Sequence, residues 1–206
     1  MEWGFLTEAV FPYRTGGFNT RHNERCPECK RGIGKILEGI HGEVKRNYKF
    51  QIGTKPSDFG EKKFCEELGR IFVALQEHRV FKDFVKVKTL PHCDFFVPNP
   101  GFVLEFDESQ HFTSARKLAL ELYPEELKLG FDKETWIDLC NRIDAKDNDP
   151  PYRDEQRAWY DTLRDFLPEI VGLKPTVRVF ARDLAWCSLN PNSKADLERF
   201  RSVIQT

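Results

Sequence analysis

The chain has 206 residues, of which 40% are hydrophobic and 32% charged, a balance typical of a soluble globular domain with a sizeable core. No apolar run approaches the roughly 20 residues that a membrane span requires, and no signal-peptide pattern precedes Met1, so we expect a cytoplasmic protein that does not enter a membrane. Six cysteines, of which only two are closely paired, predict reduced thiols and not a disulfide framework.

The formal net charge of −1 hides an uneven distribution. Residues 1–90 hold 17 Lys and Arg against 12 Asp and Glu, whereas residues 91–206 hold 15 against 21. A basic first part can follow a phosphate backbone while an acidic second part carries metal ligands. Chance asymmetry among solvated side chains explains the same numbers equally well.

Residues 1–56 are predicted to form an N-terminal extension with little helical periodicity and one short strand over residues 48–52. Within it, Cys26-Pro-Glu-Cys29 resembles half of a zinc knuckle, because a C-x-x-C turn lets two thiolates bind one tetrahedral Zn2+. No second C-x-x-C exists, so a pair of unligated thiols remains the alternative. Four other residues are candidates to complete such a site: His22, His41, Cys65 and Cys93.

The cysteine pair lies in a basic stretch that is a candidate for DNA contact. Arg25, Lys30 and Arg31 are its central members, with Arg21 and Lys35 on either side. Clustered Lys and Arg can neutralise backbone phosphates. An ordinary solvated basic loop is the alternative for this stretch.

Residues 57–206 are predicted to form the main domain, with a mixed α/β plan. Ser57 or Asp58 can cap a helix whose apolar residues recur at spacings of three and four up to Leu75. The alternating run over residues 79–88 predicts a strand, and strands over 94–97 and 102–107 flank a Pro-Asn-Pro-Gly turn typical of a hairpin. Later patterns predict helices over 113–122, 136–143, 152–166 and 193–204 and a strand over 176–181.

The predicted hairpin gathers acidic side chains. Asp94 and Glu105 lie at similar distances from the turn, so they should be nearly opposite on one face, and Asp107 shares that face two residues on. Three carboxylates on one face repel one another unless a cation lies between them. A hard divalent ion such as Mg2+ takes oxygen ligands and can activate a water for attack on a phosphodiester.

Gln110 and His111 follow at the end of the second hairpin strand. They can position the attacking water or the leaving oxygen, and a histidine can move a proton near neutral pH. The structural alternative for this region is a turn at Asp107 and Glu108, a surface histidine, and an ion pair between Asp94 and a lysine.

The stretch from Asp94 to His111 resembles the core of PD-(D/E)XK nucleases, in the branch related to very-short-patch-repair endonucleases. That branch carries an Asp-Phe at the start of one strand and Glu-x-Asp-Gly-x-x-His at the end of the next. The resemblance implies a restriction-endonuclease-like core, with a central mixed sheet flanked by helices. The chain departs from that core over residues 112–150, which we interpret as a helical insertion because His111 and Asp154 lie farther apart in the sequence than the family pattern leads us to expect. It also implies that Asp94 and Glu105 bind Mg2+ or Mn2+.

The resemblance extends to two helices and is broken at two positions. Glu67, or its neighbour Glu66, would reach the metal through water from the preceding helix, and Asp154 and Arg157 would brace the site or touch phosphate. Asp107 stands where the family usually has Lys, so no obvious cationic group steadies the attacking water. Glu108 replaces the usual Gly, which raises the question of the backbone shape there.

These observations predict a metal-dependent endonuclease that hydrolyses DNA in restriction, repair or defence, with Asp94, Glu105, Asp107, Gln110, His111 and Glu67 in the site and Arg157 on the nucleic acid. A homodimer is compatible with a site that cuts one strand. Two alternatives stay open: a catalytically silent nucleic-acid-binding protein with the same fold, and a metal-dependent ribonuclease. Carboxylates and Mg2+ alone do not distinguish these activities.

Overall fold

The computed structural model describes residue 24 and residues 26–204. Six α-helices in the described part of the chain surround one sheet: α1 (Pro27–His41), α2 (Cys65–His78), α3 (Ser114–Glu121), α4 (Lys133–Ile143), α5 (Arg153–Val171) and α6 (Lys194–Ile204). Four strands form that sheet: β1 (Lys45–Tyr48), β2 (Cys93–Val97), β3 (Phe102–Asp107) and β4 (Val177–Phe180). Among the described residues, no helix is both long and apolar enough to cross a membrane.

The sheet is mixed and its strands follow the chain order β1-β2-β3-β4. β1, β2 and β3 are antiparallel neighbours, and β4 lies parallel to β3 after the crossover through α5. An α/β fold with a mixed sheet flanked by helices is therefore confirmed. The region of residues 112–150 contributes α3 and α4, which pack against each other, and α3 also packs on α5.

Helices cover both faces of the sheet. Glu105 of β3 contacts α5 on one face, whereas the next residue, Phe106, packs edge-to-face with Trp186 on the face where α1 and α6 lie. Successive strand side chains point to opposite faces, so one strand serves both layers. Every residue of β3 is buried, as expected for a central strand covered on both sides.

The predicted β2–β3 hairpin is confirmed. Phe95 pairs with Leu104 and Val97 with Phe102, so the strands are in the register that the alternating apolar residues favour. Gly101 closes the turn at a φ of 91°, a left-handed conformation that glycine adopts without a Cβ penalty. This register fixes which polar residues face one another at the open end of the hairpin.

The helix α1 was not predicted. Ile33, Ile36, Leu37 and Ile40 form its apolar stripe, Pro27 occupies its first turn, and Gly42 ends it. Lys30 and Arg31 therefore lie on a helix that packs on the sheet, and the interpretation of this stretch as a loop is wrong.

The predicted strand over residues 79–88 is also wrong. Val80 has a φ of 65°, which interrupts an extended chain at its start. The backbone carbonyls of Phe84 and Val87 accept hydrogen bonds from the side chains of Gln156 and Thr54 instead of from a neighbouring strand. The segment is an irregular connection, anchored by the buried ring of Phe84.

Two other boundaries differ from the sequence prediction. α2 begins at Cys65, because the predicted cap residues Ser57 and Asp58 lie in a short 3-10 turn, and the positive φ values of Gly60 and Phe64 interrupt the chain between that turn and the helix. β1 covers Lys45–Tyr48 and so shares only Tyr48 with the predicted strand. α1 and β1 both come from the predicted N-terminal extension, and β1 is the edge strand of the same sheet as β2–β4.

A glycine in α1 allows a close approach of the connection that follows β4. A Cβ at Gly32 would lie 2.6 Å from the carbonyl oxygen of Trp186, which is backbone and cannot easily move. We expect Gly32→Ala to lower the free energy of unfolding by about 1–3 kcal/mol, the usual cost of overpacking. Gly69→Ala in α2 is the matched control, because a Cβ there meets no atom within 4 Å, and it should be neutral or stabilise by up to about 1 kcal/mol.

Urea denaturation of both variants measures the difference. If Gly32→Ala were as stable as the wild type, the connection after β4 would not lie against α1.

Candidate functional site

Asp94 and Glu105 meet at the open end of the hairpin, as the sequence predicted. Asp94 directly precedes Phe95, and Glu105 directly follows Leu104, the partner of Phe95 in the antiparallel register, so the two acids occupy opposite positions on neighbouring strands. The backbone N–H of Asp94 donates to Glu105 Oε1 at 3.3 Å, and that of Phe106 donates to Asp94 Oδ2 at 2.9 Å. Two carboxylates from separate strands thus share one small region of the sheet.

Lys30 supplies a cation to this region. Its Nζ lies 2.8 Å from Asp94 Oδ1, and both side chains are partly exposed to solvent. Burial acts to lower the pKa of Lys30, but the negative charges of Asp94, Glu108 and Glu105 outweigh it and raise that pKa. The ion pair between Asp94 and a lysine, weighed as an alternative above, is present, and the expected lack of a cationic group is wrong.

Glu105 is a buried carboxyl with weak compensation. Burial raises its pKa to about 8, and the charge of Asp94 adds to the effect while Arg164 opposes it. Arg164 Nε lies 3.4 Å from Glu105 Oε1 without making a hydrogen bond to any partner. A long bond from the Asp94 amide and a poorly aligned guanidinium leave Glu105 easier to protonate than an exposed carboxyl.

Asp107 lies on the same side of β3 as Glu105 but in a different environment. It belongs to a set of ionisable side chains between β3, β4 and the helices α3 and α5, here called the buried ionic cluster: Asp107, His111, Arg116, Asp161, Asp165 and Arg178. Arg178 donates to Asp107 Oδ1 at 2.8 Å, and the indole N–H of Trp136 donates to Oδ2 at 2.8 Å.

The buried ionic cluster changes one argument made from the sequence. Asp107 is compensated by the guanidinium of Arg178, which also contacts Asp165 at 2.7 Å. The sequence argument requires a cation between the carboxylates and offers Mg2+ for that role, and at Asp107 the chain itself supplies a cation, Arg178. Charge compensation by itself does not require a metal at Asp107.

His111 and Gln110 have well-defined partners. The Nδ1 atom of His111 lies 2.8 Å from Asp161 Oδ2, and burial acts to lower its pKa, but the charges of Asp161 and Asp107 raise it. The ring is not a free surface histidine. Gln110 donates from Nε2 to Glu108 at 2.7 Å, while its backbone oxygen accepts from Arg157 Nη1 at 2.9 Å. Catalytic roles for Asp107, Gln110 and His111 stay predictions.

The remaining predicted residues have their described contacts elsewhere or lie outside the described chain. Glu67 is on α2, which packs on α3 and α5, and its described ion pair is with Arg70 at 3.4 Å on the same helix. Arg31 is exposed and paired with Glu28 at 2.6 Å. Arg157 braces the Gln110 turn and pairs with Asp147 at 2.9 Å. Arg25 lies outside the described residues.

Glu108 does not need to be glycine. Its φ of −91° and ψ of 164° are ordinary extended values that any residue adopts. A glutamic acid at this position therefore imposes no backbone strain, and its carboxylate accepts a hydrogen bond from the Gln110 amide.

A second group of chemically active residues lies at the start of α1. The sulfur atoms of Cys26, Cys29 and Cys187 all lie within 4.8 Å of one another, a spacing at which they could hold a metal ion. Cys187 was not among the predicted partners of the C-x-x-C pair. Two of the four candidates have other contacts, since His41 packs edge-to-face on Phe102 and Cys93 donates to the backbone oxygen of Tyr48 at 3.3 Å. Cys65 is not part of the cluster, and His22 lies outside the described residues.

The sequence pattern missed three charged residues that surround the hairpin carboxylates. Arg178 stands in the middle of the short apolar strand β4, and Asp161 and Arg164 lie on the face of α5 that packs on the sheet. A charged residue inside an otherwise apolar strand is the signal that could have identified Arg178, because such a charge is buried only with a partner.

Comparisons with known proteins complete this description. The chain matches no protein-family model, no curated protein and no solved structure, so its family is not established by similarity.

Proposed function

We propose that the chain is a metal-dependent endonuclease that hydrolyses DNA phosphodiester bonds at Asp94 and Glu105. One observation carries the proposal: a partly exposed Asp94 faces a buried Glu105 whose pKa is raised to about 8. Strongly perturbed carboxyls next to a second acid are characteristic of functional sites. The order of helices and strands and the mixed sheet are compatible with a restriction-endonuclease-like core.

The donor set fits a hard divalent cation. Asp94 and Glu105 offer carboxylate oxygens, the ligands that Mg2+ and Mn2+ prefer. Glu105 has only a long hydrogen bond and a misaligned Arg164 to balance its charge, so a dication would stabilise its ionised form. When bound, such an ion would supply Lewis-acid stabilisation of the charge that develops on the phosphate.

The other residues have roles that follow from their contacts. Lys30, at 2.8 Å from Asp94, takes the place of the lysine that the strand lacks: it orients the attacking water and balances charge on the phosphate. Asp107 and His111 are positioning residues, because they fix the end of β3 through Arg178 and Asp161. Arg157 holds the turn that carries Gln110.

Cleavage of plasmid, single-stranded DNA and RNA in Mg2+, Mn2+ or EDTA tests this function. Asp94→Asn and Glu105→Gln should reduce cleavage to the level seen in EDTA, because each removes a metal-binding charge. Glu28→Gln is the matched control, since Glu28 is exposed, pairs only with Arg31 in the described structure, and should cleave like the wild type. Equal products from the wild type and both site variants would refute the proposal.

A second function is favoured by a specific observation. Lys30 and Arg178 balance the charges of Asp94 and Asp107, which suits a nucleic-acid-binding protein that does not cleave. In that case labelled DNA should shift in a gel equally in EDTA and in Mg2+ and stay intact. Cleavage confined to RNA would instead identify a metal-dependent ribonuclease.

A further inference from the structure

We propose that Cys26, Cys29 and Cys187 bind one Zn2+ ion that joins the start of α1 to the connection between β4 and α6. The three thiols come from opposite ends of the described chain, yet all three sulfurs lie within 4.8 Å of one another. This site is separate from Asp94 and Glu105, and the proposal does not depend on nuclease activity.

The spacing and the chemistry of the ligands indicate zinc. A tetrahedral Zn2+ with Zn–S bonds of about 2.3 Å separates its sulfur ligands by somewhat less than 4 Å, which the cluster accommodates. Thiolates are soft ligands that select Zn2+ over Mg2+ or Ca2+. Within the described residues the group offers three ligand atoms, so water or a group outside those residues takes the fourth position.

The local structure of α1 prepares two of the ligands. Pro27 begins the helix directly after Cys26, and the amide of Cys29 donates to the carbonyl of Cys26 at 3.1 Å, which brings both side chains to one turn. The first turn of a helix also favours a thiolate, because its unpaired backbone N–H groups point towards negative charge.

The third ligand is held in place by packing. Trp186 is fully buried, packs against Phe106 and Phe200, and donates from its indole N–H to the carbonyl of Phe180 at 3.0 Å. Gly32, one turn after Cys29, leaves room for the Trp186 carbonyl to touch the helix. Cys187 therefore faces the pair from a rigid connection and not from a free loop.

A disulfide explains the arrangement less well. It would join two of the three sulfurs and leave the third without a role, whereas one metal ion uses all three. The metal also has a structural consequence, because Lys30 follows Cys29 directly and reaches Asp94 at 2.8 Å. A metal ion that joins the first turn of α1 to the connection after β4 would therefore also hold Lys30 in position beside Asp94.

Metal analysis of the full chain, purified without chelators, tests the proposal. We expect about one zinc per chain in the wild type, and less than a tenth of that in Cys26→Ser and Cys187→Ser. Cys65→Ser is the matched control, because Cys65 is half-buried like Cys26 and Cys187 but lies outside the cluster, and this variant should keep its zinc. Exchange for Co2+ should produce thiolate-to-cobalt charge-transfer absorption and the visible bands of a tetrahedral site.

A second measurement on the wild type decides the question if a variant fails to fold. Bound zinc should protect Cys26, Cys29 and Cys187 from iodoacetamide until EDTA is added, as read by peptide mass spectrometry. A wild-type chain that takes up neither Zn2+ nor Co2+ would overturn the proposal. So would full zinc content in Cys187→Ser, or a Cys26–Cys29 disulfide in the purified protein.

Discussion

Replacing Arg178 with methionine should lower the free energy of unfolding by about 3–5 kcal/mol, the usual cost of removing one partner from a buried ion pair. Arg178 has no solvent-exposed side-chain surface and contacts three acids, with 2.8 Å to Asp107, 2.7 Å to Asp165 and 3.6 Å to Asp161. Methionine preserves much of the volume, so the loss reflects uncompensated charge. Since small domains are stable by only about 5–15 kcal/mol, this loss is a large part of the total stability.

Arg182→Met is the matched control for this prediction. Arg182 lies just after the same strand, is more than half exposed, and pairs with Glu24. Exposed ion pairs contribute about 0–1 kcal/mol, so the control should unfold near the wild-type midpoint. Guanidinium denaturation followed by circular dichroism measures both variants.

A double variant separates charge from packing. Adding Asp107→Asn to Arg178→Met removes one uncompensated carboxylate and leaves an amide that can still accept from the Trp136 indole, now 2.8 Å from Asp107 Oδ2. We expect it to recover part of the lost stability, as interacting residues are not additive. No recovery, or a single variant as stable as the wild type, would contradict the role given to the buried ionic cluster.

Replacing Glu105 with glutamine should stabilise the metal-free protein at pH 8 by an amount on the order of a few kcal/mol. Burial raises the pKa of Glu105 in the folded state to about 8, against 4.5 for an exposed glutamic acid. As the pH rises, the carboxyl group of Glu105 loses its proton at a lower pH in the unfolded chain than in the folded protein. Ionisation therefore favours the unfolded chain, and the wild type loses stability between about pH 4.5 and 8. Glutamine resembles the protonated acid, so the variant lacks that loss.

Urea midpoints between pH 5 and 8, measured in EDTA, test this prediction. The two proteins should be similarly stable near pH 5 and diverge as the pH rises. Glu155→Gln is the matched control: Glu155 is equally buried but receives two short hydrogen bonds from Arg79, at 2.6 and 2.7 Å, so its substitution should destabilise by about 1–3 kcal/mol.

Magnesium connects this measurement to the proposed function. If Glu105 is a ligand, Mg2+ should raise the midpoint of the wild type at pH 7 and leave that of Glu105→Gln unchanged, because binding to the folded state stabilises it. A variant less stable than the wild type at pH 8 would show instead that Arg164 holds Glu105 firmly in its ionised form.

The elements that were predicted correctly are those whose pattern is local. The β2–β3 hairpin follows from alternating apolar residues on either side of a Pro-Asn-Pro-Gly turn, and its register places Asp94 opposite Glu105. The run over residues 79–88 alternates just as well but is not a strand, because no strand of the described structure pairs with it and side chains satisfy the carbonyls of Phe84 and Val87. Alternation of apolar residues predicts which side chains share one face of an extended segment, but whether that segment becomes a strand depends on a neighbouring strand with which it can form hydrogen bonds.

The sequence by itself determined that two acids share one end of a hairpin, because strand alternation and turn length fix which side chains are opposite. Only the tertiary structure decided which cations meet them: Lys30 arrives from α1 and Arg164 from α5. The same holds for Cys187, which joins Cys26 and Cys29 across almost the whole described chain. These contacts depend on how helices pack on the two faces of the sheet, and no local spacing in the chain encodes that packing.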